Sequence, residues 1–241
     1  MASKKTNPIK IIAGVVIFLT LPTLLFFGFL YFKYHEDLPT GIQGEQADAL
    51  AYKMLDALNY EAYKSTNYIE WTFKKRRYYE WDRAKNTCNV MWKQNKVALN
   101  LNNPSKSKVY IHSFNHEGEM AEKLIKKALK YFNNDSFWLV APYKVFDKGV
   151  ERRLVKTSNN KNALLVTYTS GGSTPGDSYL WLLDNNNKPT AFKMWTSLLP
   201  IDGLTATWEH WTTTQTGAQL PTFHKLLFFG LEIEDIQGTH N

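Results

Sequence analysis

"ALLVTYTSGGSTPGDSYLWLLD", residues 163–184, decides the fold class of this 241-residue chain. Two runs rich in Thr, Tyr, Leu and Trp flank a connection that holds three glycines and a proline. In "SYLWLLD" Tyr179, Trp181 and Leu183 alternate with Leu180 and Leu182, so this strand is apolar on both faces. A half-solvated sheet gives a cleaner alternation. A sheet wrapped around helices, or around an apolar ligand, gives the double-sided pattern. "GGSTPG" contains no lysine and runs into a strand, so it fits neither a Walker loop nor a dinucleotide fingerprint, both of which open a helix. Gly171, Gly172 and Gly176, with Pro175 and Asp177, supply instead the backbone positions of a long hairpin loop.

Similar strands lie on either side. "ERRLVKTS", "PTAFKMWTSL", "TATWEHWTTT", "LPTFHKLLFF" and "GLEIEDIQ" are separated by the turn signals "NNKN", "NNNK", "PIDG" and "QTGAQ". Short turns at regular spacing mean antiparallel meanders, not βαβ units. Upstream, "EQADALAYKMLDALNYEAYKST" has the i, i+3, i+4 apolar spacing of one amphipathic helix over 45–65. Period two then takes over: "NYIEWTFK" puts Ile69, Trp71 and Phe73 on one face, "RYYEWDR" and "TCNVMWKQ" continue it, and "NKVALNLNNPSKSKVYIHS" adds two short strands. A second helix is expected over 118–132. In "DSFWLVAPYKVFDKG", either Asp135 caps a short helix that Pro142 ends, or the stretch is an irregular apolar cover. The order is one helix, about five strands, one or two helices and about seven strands. The expected fold is α+β: a strongly curved, unclosed antiparallel sheet (a half-barrel) with helices on its concave face.

The N-terminus reads differently. "IIAGVVIFLTLPTLLFFGFLYF", residues 11–32, carries no charge and as a helix covers about 33 Å at roughly 1.5 Å per residue, enough to cross a bilayer core. Lysines precede it and "KYHED" follows, so the basic tail 1–10 stays in the cytoplasm and the rest lies in the periplasm or outside. Bulky residues stand where a signal-peptide cleavage site needs small ones, and no cysteine follows for lipid attachment. The expected division is tail 1–10, transmembrane signal-anchor 11–32, linker 33–44 and extracytoplasmic half-barrel 45–241, held by this single span in the inner or cytoplasmic membrane.

Charge and chemistry narrow the function. The net charge of +7 owes four lysines to residues 1–33; without them 25 basic residues face 22 acidic ones, an ordinary surface. "KKRR" at 74–77, beside Tyr78, Tyr79 and Trp81, reads as a solvated hairpin edge and not as a nucleic-acid site. Cys88 stands alone and reads as a buried thiol. His112 and His116 have i, i+4 spacing but no H-E-x-x-H and no third ligand, so no metal and no cofactor is expected. No G-x-S-x-G elbow occurs. Asp177, Glu209 and His210 are the polar residues that a hydrolase site at the mouth of the sheet would use. The aromatic residues carry the main candidate site: Trp71, Phe73, Trp81, Trp92, Trp138, Trp181, Trp195 and Trp208 as core, or as the lining of a cavity for an apolar ligand.

The layout, with "NYIEWTFK" as the first strand after the helix and "NDSFWLVAPYKVFD" as the central segment, resembles the periplasmic lipoprotein-carrier superfamily of LolA and LolB. "GGSTPGDSYLWLLDNNNKPTAFKMW" resembles a strand–turn–strand pair of that family in shape. The resemblance implies an unclosed, curved barrel with helices plugging the concave side and an apolar cavity for acyl chains. It covers most of residues 45–237 and transfers no residue position by position. A retained anchor sets this chain apart from carriers that are released into the periplasm. Three functions follow as expectations: a membrane-anchored, non-catalytic binding protein for a lipid or acyl chain; an envelope interaction or scaffold module with a filled core and a protein partner; and a hydrolase.

Overall fold

A computed structural model describes residues 7–171 and 174–240. Helix α1 (Pro8–Tyr34) is apolar all round, as a helix needs to be in lipid, and Pro22 is accommodated within it. It is the one helix among the described residues long and apolar enough to cross a membrane, and side chains 9–27 are exposed. Next come α2 (Glu45–Ala57) and α3 (Tyr60–Ser65). The single helix expected over 45–65 is broken, because Asn59 adopts a left-handed backbone (φ 57°) and its Nδ2 donates to the Gly217 carbonyl at 3.0 Å. Asparagine tolerates that conformation, and burial of Leu58 fixes the bend.

Six strands follow: β1 (Tyr68–Phe73), β2 (Arg77–Asp82), β3 (Thr87–Trp92), β4 (Asn95–Asn100), β5 (Lys108–Ile111) and β6 (Phe114–His116). The sixth was not expected. "HSFNH" forms a tight hairpin, with His112 and Ser113 both at positive φ, and not a strand-to-helix junction. Helix α4 (Glu119–Val140) then runs eight residues past the expected end at 132, because its buried stripe continues through Phe132, Asp135, Ser136 and Leu139. Asp135 is thus a mid-helix residue and not a cap. Pro142 ends the helix, within a 3-10 turn over Ala141–Lys144.

The second block is β7 (Val150–Lys156), β8 (Asn162–Tyr168), β9 (Ser178–Leu183), β10 (Pro189–Trp195), β11 (Leu204–Thr207), β12 (Glu209–Thr213), β13 (Gln219–Leu226) and β14 (Phe229–Thr239). The expected strand "TATWEHWTTT" is split at Trp208, and the left-handed His210 (φ 52°) follows within β12. All pairings are antiparallel, in the order β6-β5-β4-β3-β2-β1-β14-β13-β11-β10-β9-β8-β7, with β12 also on β13. Strand β14 joins the two blocks by pairing with β1 and β13.

The sheet curls around α4 and does not close. Asp135 touches Tyr79 on β2, while Phe137, two residues further along the helix, touches Tyr179 on β9. Those strands are six places apart in the order, about 29 Å in a flat sheet at roughly 4.8 Å per strand. One helical turn reaches both only if the sheet bends round it.

The double-sided apolar strands have a local cause. Trp181 and Tyr179 face the interior, but Leu180, Leu165, Val155, Ala163 and Trp195 form a second cluster on the opposite face. The stretch 36–42 crosses that outer face as a strap: Trp195 Nε1 donates to the Glu36 carbonyl at 2.8 Å, and Ile42 pairs with Leu154 on the edge strand β7. The linker is therefore part of the packing.

Candidate functional site: an aromatic interior clasped by one helix

Alternation on β1–β3 sends Trp71, Phe73, Tyr79, Trp81 and Trp92 to the concave side, all at most 8% exposed. Trp71 stacks on Tyr79 at 4.5 Å, Trp81 meets Phe132 of α4 edge-on at 5.2 Å, and Trp92 meets Tyr131 at 5.6 Å. A second cluster forms where α4 faces the other block. Phe137 and Trp138 lie against Tyr179, Phe192 and His224, and Trp181 and Trp208 complete it at 5.6 Å from each other. Such ring pairs add roughly 0.5–1.5 kcal/mol each beyond the area they bury. Seven of the eight residues singled out in the sequence thus share the interior. Trp195 lies on the other face, under the strap.

Between the ring clusters sits a charged lock that sequence reasoning missed. Asp135 is fully buried; Arg77 Nε donates to its Oδ2 at 2.5 Å and Nη2 to its Oδ1 at 3.1 Å. Tyr79 Oη donates to Oδ2 and Asn134 Nδ2 to Oδ1. The arginine also lies over the Phe73 and Tyr131 rings. Burial, then the adjacent Asp135 charge, push the Tyr79 hydroxyl far above its ordinary range, so it stays a donor. The only sequence signal was a basic residue at the start of β2 and an acid on the apolar stripe of a helix. The lock fixes the rotation of α4 against the sheet.

Other polar groups also serve the fold. Asp177 accepts from Thr174, Thr196 and the Ser197 amide, tying the β8–β9 loop to the β10–β11 loop. His210 stacks on Phe223 and Glu209 lies on the same strand, but no contact joins either to Asp177. His224 is fully buried, with Nδ1 2.7 Å from the Thr207 carbonyl, and burial lowers its pKa to about 4. The indole N–H groups of Trp71, Trp81, Trp181 and Trp208 have no protein partner. Among the described residues no group of three or more His, Cys, Asp or Glu side chains could hold a metal.

No family model and no curated protein matches this chain. Its fold is similar to the crystal structure of a DUF1329 family protein from Desulfovibrio piger, with a TM-score of 0.43 and 7% identity, covering 81% of this chain and 94% of that one. On the concave side, where the resemblance to lipoprotein carriers implies plugging helices, α4 and the rings packed on it are buried.

Proposed function

We propose that this chain is a non-catalytic, membrane-anchored interaction module of the cell envelope: α1 holds it in the bilayer, and the curved sheet is a filled body that offers its outside to a protein partner. The observation that carries this reading is the ring-on-ring packing of the interior. A carrier needs a space that a chain of CH₂ groups can enter, each worth about 0.8 kcal/mol. In this chain the corresponding surface is already buried against α4, and Asp135 holds that helix in place. The dispersed positions of Asp177, Glu209 and His210 argue against the hydrolase reading.

One observation favours the apolar-ligand reading as a second possibility. Four buried indole donors lack acceptors, and each such group costs roughly 1–3 kcal/mol. A ligand with ester or carboxyl oxygens, drawn in by displacement of α4, would satisfy them. A photoreactive fatty acid, added to membranes that hold the full chain and followed by peptide mapping, separates the two. The filled-module reading expects crosslinks only on surfaces that face the lipid, such as residues 8–34, and none on the buried interior strands. Crosslinks to the strands bearing Trp71 or Trp181 would favour the ligand.

A further inference from the structure

The connections between strands fall into two rows at opposite ends of the sheet. Pairing registers place the β1–β2, β3–β4, β5–β6 and β13–β14 turns at one rim, with the β8–β9 and β10–β11 loops. The β2–β3, β4–β5, β7–β8, β9–β10 and β12–β13 connections lie at the other. Helix α1 meets the body at the first rim. The Glu36 amide donates to the Asp202 carbonyl at 3.0 Å, the Asp202 amide to His35 Nδ1, and Lys193 Nζ to both Glu36 carboxylate oxygens. Gly203 permits this contact, since a Cβ there would stand 2.7 Å from Glu36 Cβ.

The short hairpins of the two rims use the same backbone conformation with different residues. On the far rim the left-handed positions are Asn86, Asn160, Asn187 and Gly217, the types that adopt it at least cost. On the near rim the longer loops also use glycine, at Gly171, Gly176 and Gly203, but the short hairpins place Lys74, Lys75, Lys93, His112, Ser113 and Leu227 there. Leucine at φ 54° is a genuine outlier, and such strain points to a use for the side chains it presents. Leu227 and Phe228 form a two-residue turn between Leu226 and Phe229. Phe228 and Phe229 are 65% and 61% exposed and pack on each other at 4.3 Å. The Ala206–Leu226 pairing sets this turn at the same rim as the β10–β11 loop, which exposes Leu198.

We infer that this rim rests on the bilayer that α1 crosses, with Phe228, Phe229 and Leu198 in the interfacial layer and Lys74, Lys75 and Lys93 on lipid phosphates. The inference depends on α1 being a membrane anchor. Geometry supplies the occupant. Leu30 is buried in the body while residues 9–27 are exposed, so the apolar part of α1 begins within about two turns of the rim. Aromatic residues gather at membrane interfaces, and lysines there reach the headgroups. Acidic side chains share this side with the lysines: Glu232 and Glu234 lie 3.4 and 3.5 Å from Lys75 Nζ, Glu36 is held by Lys193, and Asp202 stands in the β10–β11 loop. The bulk of the contact therefore falls to the apolar tip.

The test uses the full chain in nanodiscs of phosphatidylcholine and phosphatidylglycerol, with bimane on Phe228→Cys; the native Cys88 is buried and stays unlabelled. Lipids spin-labelled near the headgroup are expected to abolish fluorescence at position 228 and to leave Asn160→Cys, on the far rim, unaffected. Ile17→Cys, read with lipids labelled deep in the chain, reports on α1. Quenching at 17 without quenching at 228 overturns the rim contact alone. No quenching at 17 overturns the anchor reading and the rim contact with it. Phe229→Cys repeats the measurement should Phe228→Cys fail to fold. Lys74→Glu together with Lys93→Glu is expected to lower the quenching at position 228, and unchanged quenching there would overturn the role given to the lysines.

Discussion

Strands β1–β3 and strands β8–β10 belong to one sheet and yet are built on opposite plans. In the first set burial alternates strictly, with Ile69, Trp71 and Phe73 inside and a polar ladder outside. There Tyr78 Oη donates to Glu70 and Asn89 Nδ2 donates to Glu80, which relieves two carboxylates placed directly opposite each other. In the second set four successive residues of β8 and of β9 are buried, because α2 and α4 cover one face and the 36–42 strap crosses the other. The lesson concerns what alternation measures. It reports how many faces of a strand are covered, and it is silent about what covers them.

Substitutions test that contrast, and the largest effects are expected inside. Asp135→Ala leaves Arg77 and Tyr79 without their shared partner, and the loss of stability should reach about 3–5 kcal/mol in urea unfolding of the full chain. Trp181→Ala, on the doubly covered strand, should cost about 3–5 kcal/mol by the same measurement. Trp195→Ala should cost less and speed amide exchange at Ile42, since its ring and N–H hold the strap. Unchanged exchange there would detach the strap from the explanation of the double-sided pattern.

His224 gives a pH signature confined to the second block. Its folded pKa, about 4, lies below the unfolded value near 6.5, so the unfolded chain binds a proton first. The stabilisation is complete above about pH 6.5 and falls away by about 3 kcal/mol as pH drops toward 4. His224→Gln should flatten that window in thermal unfolding curves. The smallest effect belongs to the outer face of the first block: Thr72→Ala removes one exposed hydrogen bond to Asp235 and should change stability by less than about 0.5 kcal/mol.

The strand blocks, the unclosed sheet and the apolar N-terminal helix were legible because period and turn chemistry are local. What was not legible is long-range. Asp135 resembled a helix cap until Arg77 and Tyr79, more than fifty residues earlier, came to meet it. The strap looked like a tether because its Pro and Gly residues are common to both uses. The bend at Asn59 needed a partner at Gly217 to be seen. The eight aromatic residues could be named from sequence, but their packing on one another, and the odd placement of Trp195, depend on how far the sheet curls.

Intrinsic fluorescence tests the central claim most directly, since all eight tryptophans lie between residues 71 and 211 and none in α1. Dibrominated fatty acid titrated into the full chain in nanodiscs should produce no saturable quenching, because a filled interior admits no acyl chain. Saturable quenching that Trp181→Phe and Trp208→Phe together abolish would place the ligand among the rings and contradict the account.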